Sequence, residues 1–522
     1  VEFAGWMPDD SGFLYGRLED EKDAYSRAFR YHDVGTHWRQ DPLLVKQDAP
    51  SRIPFANLTD DGRWIVSGVF EGWAKQEVYV TDADAWRRTG KFERTPVAVG
   101  LEARFSPATF DGDTMYMFTT LNAPNGKIVA VDMNHPEQKN WKEFIPERPG
   151  REGAVLDGVS RARGLMVATY SKDAATRLEK FAMDGKSLGE IALPGAGIGT
   201  ASISTNDDRT EAFISYTSFN EPPGVYRVDL ADNKPAQLWA RPDVPVDPST
   251  VDVKQVFYSS KDGTQVPMFL VYKKGLKLDG NNPCLLYGYG GFNISMTPSF
   301  SATNFPWFEH GGVYALANLR GGGEYGEAWH EAGMLANKQN VFDDLYGAAE
   351  YLINSKYTNP KKLAVFGGSN GGLLTGVAIT QRPDLWTCVV SAVPLLDMVR
   401  YQNFLMAKFW VPEYGSSENA DQFKWLIKYS PYQNIKKGVK YPAVLFTAGE
   451  NDSRVHPLHA RKMTAAMQSL DGSNQDEKPV LLWVDREGGH GQGKPLSLRI
   501  RDTADRWGFI MWQTGMSYPT SD

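Results

Sequence analysis

One serine in this chain stands where a nucleophile would. Gly367-Gly368-Ser369-Asn370-Gly371-Gly372 follows the apolar run Leu363-Ala364-Val365-Phe366 and leads into Leu373-Leu374. A strand, a glycine-crowded turn and a helix start form a nucleophile elbow, where a strained backbone lifts the hydroxyl clear of the sheet. The helix behind it aims free N–H groups and the positive end of its dipole at the serine. The pattern G-x-S-x-G is weak in a chain with 50 glycines, and the flanking strand and helix give it weight.

A serine hydroxyl needs a base to take its proton. In this kind of fold the order along the chain is serine, then acid, then histidine. Past Ser369 the histidines are His456, His459 and His490. His456 and His459 begin the predicted helix Leu458–Leu470, which runs to a stop at Asp471-Gly472. His490 lies in a glycine-rich loop, Arg486 to Gly493, after the last predicted strand, where the base is expected. The acid is expected after the strand Ala443–Thr447, in Ala448-Gly449-Glu450-Asn451-Asp452-Ser453-Arg454. Asp452 is the favoured residue and Glu450 the alternative; spacing does not separate them. An oxyanion hole needs two donors. The N–H of Asn370 is one, and the loop Tyr287-Gly288-Tyr289-Gly290-Gly291-Phe292 supplies the other, through a backbone N–H or a tyrosine hydroxyl.

These loops need a rigid sheet beneath them. Strands are predicted at Val253–Ser259, Val266–Tyr272, Cys284–Tyr289, Val313–Leu319, Leu363–Phe366, Cys388–Ala392, Ala443–Thr447 and Val480–Val484. The later ones are near-continuous apolar runs, as in parallel strands covered on both faces. Between them lie helical patterns such as Val341–Asn354, whose Phe342, Leu345, Tyr346, Ala349, Leu352 and Ile353 make one stripe. An eight-stranded, mostly parallel sheet with a serine elbow after its fifth strand is an α/β-hydrolase layout.

The first half is different. Short alternating runs are broken by Asp-Gly, Asn-Gly and proline turns, and they recur. Units begin at Phe3-Ala4-Gly5-Trp6, Phe55-Ala56-Asn57-Leu58 and Ala103-Arg104-Phe105-Ser106, with two more near Ala154 and Thr200. The period of ~45–50 residues is that of a four-stranded propeller blade. The domains expected are a β-propeller over 1–245 and the hydrolase domain over 246–522, joined through the proline-spaced stretch Arg241 to Pro248.

The 522 residues exceed what one core supports. The net charge of −7 argues against a nucleic-acid binder, which would need a basic face. No apolar run approaches the ~20 residues of a membrane span, so a soluble protein, cytoplasmic or periplasmic, is expected. Cys284 and Cys388 lie in strand-like apolar runs and read as buried thiols.

The glycine-flanked Ser369, the run Tyr287 to Phe292, the run Asn318-Leu319-Arg320-Gly321-Gly322-Gly323-Glu324-Tyr325-Gly326 and the Asp452 and His490 pair together resemble the prolyl oligopeptidase family of serine peptidases. The resemblance covers 252–522, and the repeat before it fits the family's propeller. It implies a triad of Ser369, Asp452 and His490, with the Tyr289 hydroxyl and the Asn370 N–H as oxyanion donors. It implies that Arg454 binds a substrate carbonyl, that Trp410 stacks on the substrate proline, and that Phe292, Leu395, Val455 and Tyr414 complete that pocket. It also implies seven blades, of which about five are visible, so the propeller looks N-terminally incomplete.

The function expected is a monomeric serine endopeptidase that cleaves short peptides after proline without metal or cofactor, its propeller gating access. A sister peptidase cutting after Arg or Lys or releasing dipeptides, a carboxylesterase, and a non-catalytic propeller that binds protein partners are the alternatives.

Overall fold

The computed structural model describes every residue except 196, 471–476, 492–493 and 517–522. Among the described residues the first half folds into five four-stranded sheets, whose first strands are Glu2–Trp6, Arg52–Leu58, Phe105–Asp111, Val155–Ala162 and Thr200–Ser204. Side chains on a strand alternate between faces. In Thr114–Thr119 this sends Met115 and Met117 into the core shared with the preceding sheet, among Trp64, Val66 and Val78. Tyr116 and Phe118 go the other way, into the core shared with the following sheet, among Met166 and Tyr170. Neighbouring blades are thus cemented face to face by a period-two pattern.

The expected N-terminal incompleteness is not seen within the first sheet. The first sheet is whole, with strands Glu2–Trp6, Gly12–Leu18, Arg27–Asp33 and Leu43–Lys46 in sequential order. Phe3-Ala4-Gly5-Trp6 lies in the opening strand of a full four-stranded sheet.

The second half is an α/β-hydrolase fold. Its single eight-stranded sheet runs in the order Val251–Ser259, Gln265–Lys273, Val313–Ala317, Cys284–Tyr287, Leu363–Gly368, Cys388–Ala392, Ala443–Gly449 and Val480–Asp485. The first two junctions are antiparallel and the rest parallel. In register, Gly368 pairs with Ala392 and Gly449 with Asp485. The loops leaving Gly368, Gly449 and Asp485 therefore open at the same carboxyl edge, where α/β sheets bind ligands.

Two helices explain why that edge is rigid. Asn370–Gln381 buries Leu373, Leu374, Val377, Ala378 and Ile379, and a helix apolar on all sides belongs inside a core. Gln339–Asn354 turns Val341, Phe342, Leu345, Ala349 and Leu352 inward. A third helix, Leu458–Gln468, follows the acid loop; the expected stop at Asp471-Gly472 lies outside the described residues. A fourth, Leu496–Thr514, packs Phe509, Ile510 and Met511 into the core and has no counterpart in the sequence reading.

The two halves touch around the sheet's carboxyl edge. The Tyr25 hydroxyl donates to Leu405 O (2.9 Å) and accepts from Lys408 N–H (3.2 Å), and its ring meets Phe409 edge-on. Tyr325 donates to Asp173 (2.8 Å), and Glu327 N–H donates to Pro124 O (2.9 Å).

Candidate active site

Ser369 caps the helix Asn370–Gln381 with φ 58° and ψ −116°. A non-glycine residue at positive φ is strained and persists only when its surroundings over-determine it. Its N–H donates to Ala392 O (2.9 Å), and its carbonyl accepts from Gly372 N–H (2.8 Å) and Leu373 N–H (3.1 Å). The surrounding glycines are not equivalent. A Cβ on Gly367 would lie 2.2 Å from Gly371 O, and one on Gly372 2.7 Å from the Pro394 Cα, so both must stay bare. A Cβ on Gly368 would meet nothing closer than 3.8 Å. The elbow's close packing rests on Gly367 and Gly372.

His490 Nε2 lies 3.0 Å from Ser369 Oγ, and His490 Nδ1 lies 2.6 Å from Asp452 Oδ2. A carboxylate only accepts, so the proton sits on Nδ1 and leaves Nε2 free to accept from the serine. The other Asp452 oxygen accepts the N–H groups of Arg454 (2.8 Å) and Val455 (2.9 Å), which fixes the carboxylate. Glu450 turns away to pair with Arg461 at the surface. His456 accepts Leu458 N–H (3.1 Å) at a helix start. His459 is buried and accepts the N–H groups of Leu396 (3.4 Å) and Asp397 (3.2 Å); burial lowers its pKa to about 4, so it is neutral and structural. The loops bearing Asp452 and His490 meet backbone to backbone, since a Cβ on Gly449 would lie 2.3 Å from Gly489 O.

Asn370 is buried, and its side chain bridges the site. Its amide donates to Tyr289 O, and its carbonyl accepts from the Tyr414 hydroxyl (2.8 Å). Burial raises the Tyr289 phenol to about 12, against a hydrogen bond with Ser369 and the nearby charge of Arg454 that pull it down. Tyr289 therefore keeps its proton beside Ser369 and is able to donate it in a hydrogen bond.

Beside the elbow lies an aromatic slot. Phe292 meets Tyr414 edge-on at 5.4 Å, and Tyr414 meets Tyr401 in the same way at 5.4 Å. Leu395, Val455, Phe292 and Tyr414 are buried in one apolar cluster, against which Trp410 packs half-buried. Arg454 is exposed beside it.

Comparisons with known proteins bear on the family and fold of the chain. The model of the prolyl oligopeptidase N-terminal β-propeller domain matches residues 1–241, and that of the prolyl oligopeptidase family matches 298–517. A prolyl endopeptidase of Elizabethkingia meningoseptica is 35% identical over 99% of this chain and 72% of its own length. The chain belongs to the prolyl oligopeptidase family. A solved prolyl endopeptidase structure superposes with a TM-score of 0.93 at 40% identity, over 99% of this chain and 75% of that one. Prolyl oligopeptidase B of Galerina marginata, solved with a 35-residue hydrolysis and macrocyclization substrate, gives 0.92 at 31% identity, over 99% and 72%.

Some residues at this prolyl oligopeptidase site escaped the sequence reading. Trp73, from a propeller hairpin, meets Phe292 edge-on at 4.5 Å and packs on the same apolar cluster. A tryptophan at a hairpin tip after Glu71-Gly72 was the available signal. Glu413, Lys338 and His330 lie buried behind the slot, and nothing in their spacing marks them. Cys284 and Cys388 are both free and buried; burial raises the Cys388 thiol to about 12 and pushes Cys284 higher still, so neither is a nucleophile. Among the described residues no helix is long and apolar enough to cross a membrane.

Proposed function

We infer that this chain is a serine endopeptidase hydrolysing peptides on the carboxyl side of proline, with short peptides as its substrates. Ser369 Oγ attacks the proline carbonyl carbon while His490 Nε2 takes the hydroxyl proton. Asp452 holds the imidazole and stabilises the imidazolium. The tetrahedral oxyanion receives hydrogen bonds from the Tyr289 hydroxyl and the Asn370 N–H. His490 then passes its proton to the leaving nitrogen, the C–N bond breaks and an ester on Ser369 remains. Water, deprotonated by His490, attacks that ester, and the free carboxylate and the serine hydroxyl are released.

The aromatic slot beside Ser369 carries the substrate assignment. Proline is a compact apolar ring without an N–H, and Trp410 and Phe292 offer it aromatic surface, with the buried Tyr414, Leu395 and Val455 packed behind them. Arg454 donates to the carbonyl of the preceding residue. A peptidase selective for Arg or Lys needs a free carboxylate at the slot. Glu413 is the acid at hand, and it is engaged by Lys338, His330 and Phe292 N–H. The propeller reaches the site through Trp73, which packs on Phe292 and forms part of the slot's wall.

Mass-spectrometric mapping of fragments from a peptide holding one proline and one arginine tests the reading. Fragments ending in proline, lost in Ser369→Ala, are expected. Fragments ending in arginine, or proline cleavage that survives in Ser369→Ala, would sink it.

A further inference from the structure

The segment that carries Tyr289 is strained just after it. Gly290, Phe292 and Asn293 have φ of 63°, 61° and 56°. The two non-glycine residues are strained there, and something must hold them. Lys338 Nζ donates to Gly290 O (2.9 Å) and lies 3.4 Å from Glu413 Oε1. That same carboxylate oxygen accepts the N–H of Phe292 (3.0 Å). Glu413 Oε2 pairs with His330 Nε2 (2.8 Å), and His330 Nδ1 with Glu327 Oε1 (2.8 Å). The second Glu327 oxygen accepts from the Asn293 amide (3.1 Å). Two cations and two carboxylates thus grip the carbonyl of 290, the N–H of 292 and the side chain of 293. Lys338, Glu413 and His330 are each only 1% exposed.

The ring closes on the other oxyanion donor. Tyr414, next in sequence to Glu413, donates to Asn370 (2.8 Å), and Asn370 donates back to Tyr289 O. Gly291 lies in the middle, where a Cβ would come within 2.7 Å of the Asn370 amide nitrogen and 3.0 Å of Lys338 Nζ. A buried ion cluster adds little net stability over apolar packing of equal volume. Its worth here lies in geometry, because an oxyanion donor must be held in place before the charge develops.

We propose that Lys338, Glu413 and His330 act as a positioning clamp that fixes the Tyr289 hydroxyl beside Ser369. None of the three touches the reacting atoms; they act through the 290–293 backbone. This rests on the serine-hydrolase reading of the site but not on its preference for proline. The assay therefore uses whichever blocked peptide the unaltered chain turns over fastest.

The test is a double-mutant cycle on kcat, with melting curves to confirm that each variant is folded. Tyr289→Phe removes an oxyanion donor and lowers kcat about 100-fold. Lys338→Met lowers it about 10–30-fold on its own, and by less than about twofold when Tyr289 is already Phe, since there is then no hydroxyl left to misplace. Glu413→Asp, which keeps the carboxylate, retains more kcat than Glu413→Gln, which keeps the volume; this pair decides the matter if Lys338→Met does not fold. Wild-type kcat in Tyr289→Phe or Lys338→Met, losses that multiply in the double variant, or Glu413→Gln outperforming Glu413→Asp would overturn the proposal.

Discussion

The two sides of Ser369 are built by different physics. On the triad side, main chain meets main chain: Gly367 lies against Gly371, and Gly449 against Gly488 and Gly489, at distances no side chain fits. On the slot side, side chains from separate segments and both domains converge: Phe292, Tyr414 and Trp410 from the hydrolase half, Trp73 from the propeller. The first side is stiff and leaves no room for an added atom at Gly367 or Gly449. The second is adjustable, and each residue contributes a part of the binding free energy. The triad side should therefore fail abruptly in kcat and the slot side gradually in KM.

Gly449→Ala is the most severe test of that contrast. The added methyl pushes the Asp452 loop off the His490 loop, and a shift of ~1 Å at a catalytic group costs about 100-fold in rate. Steady-state kinetics should show kcat down by that factor with KM within about threefold. A kcat close to wild type would mean that the loops accommodate the methyl and the triad side is softer than its packing implies.

Behind both sides, the buried charges that hold the 290–293 backbone make the fold sensitive to pH. Burial opposes the His330 proton, but hydrogen bonds to Glu327 and Glu413 outweigh it and raise the pKa to about 9. Burial likewise disfavours the Glu413 carboxylate, and Lys338 and His330 overcome this, so its pKa is lowered; burial lowers that of Lys338. An unfolded histidine titrates near ~6.5. The His330 contribution, on the order of 3 kcal/mol, is therefore complete below about pH 6.5 and lost as pH rises through about 9. The melting temperature should fall across that window, and fall less in His330→Gln. Equal slopes in the two proteins would place the alkaline sensitivity elsewhere.

Smaller effects are expected at the aromatics. Trp410→Ala should raise KM for a proline peptide about tenfold with kcat little changed, and Trp73→Ala about threefold, since an edge-on aromatic contact is worth about 0.5–1.5 kcal/mol. An unchanged KM would reduce either residue to packing.

The same contrast explains what was legible beforehand. Close backbone approach leaves a trace in sequence, because only glycine permits it, and the glycines around Ser369 and His490 gave that side away. The blades were visible because a period-two pattern with turn residues repeats at a fixed length. Glu450 and Asp452 were not separable, since the orientation of a loop carboxylate depends on which N–H groups it finds: here those of Arg454 and Val455 for Asp452, and an Arg461 side chain for Glu450. The role of Trp73, marked only by its place at a hairpin tip, and the ion cluster escaped for a related reason. Their partners lie far away along the chain, Trp73 against Phe292 and His330 against Glu413. An aromatic or a charge in isolation reads as ordinary core or ordinary surface.

The central claim is that the slot beside Ser369 selects proline. The ratio of kcat/KM for a blocked Gly-Pro chromogenic amide to that for its Gly-Arg counterpart tests it most directly. A ratio of at least about 100 is expected, corresponding to about 2.7 kcal/mol of transition-state discrimination. A ratio of one or below would contradict the account.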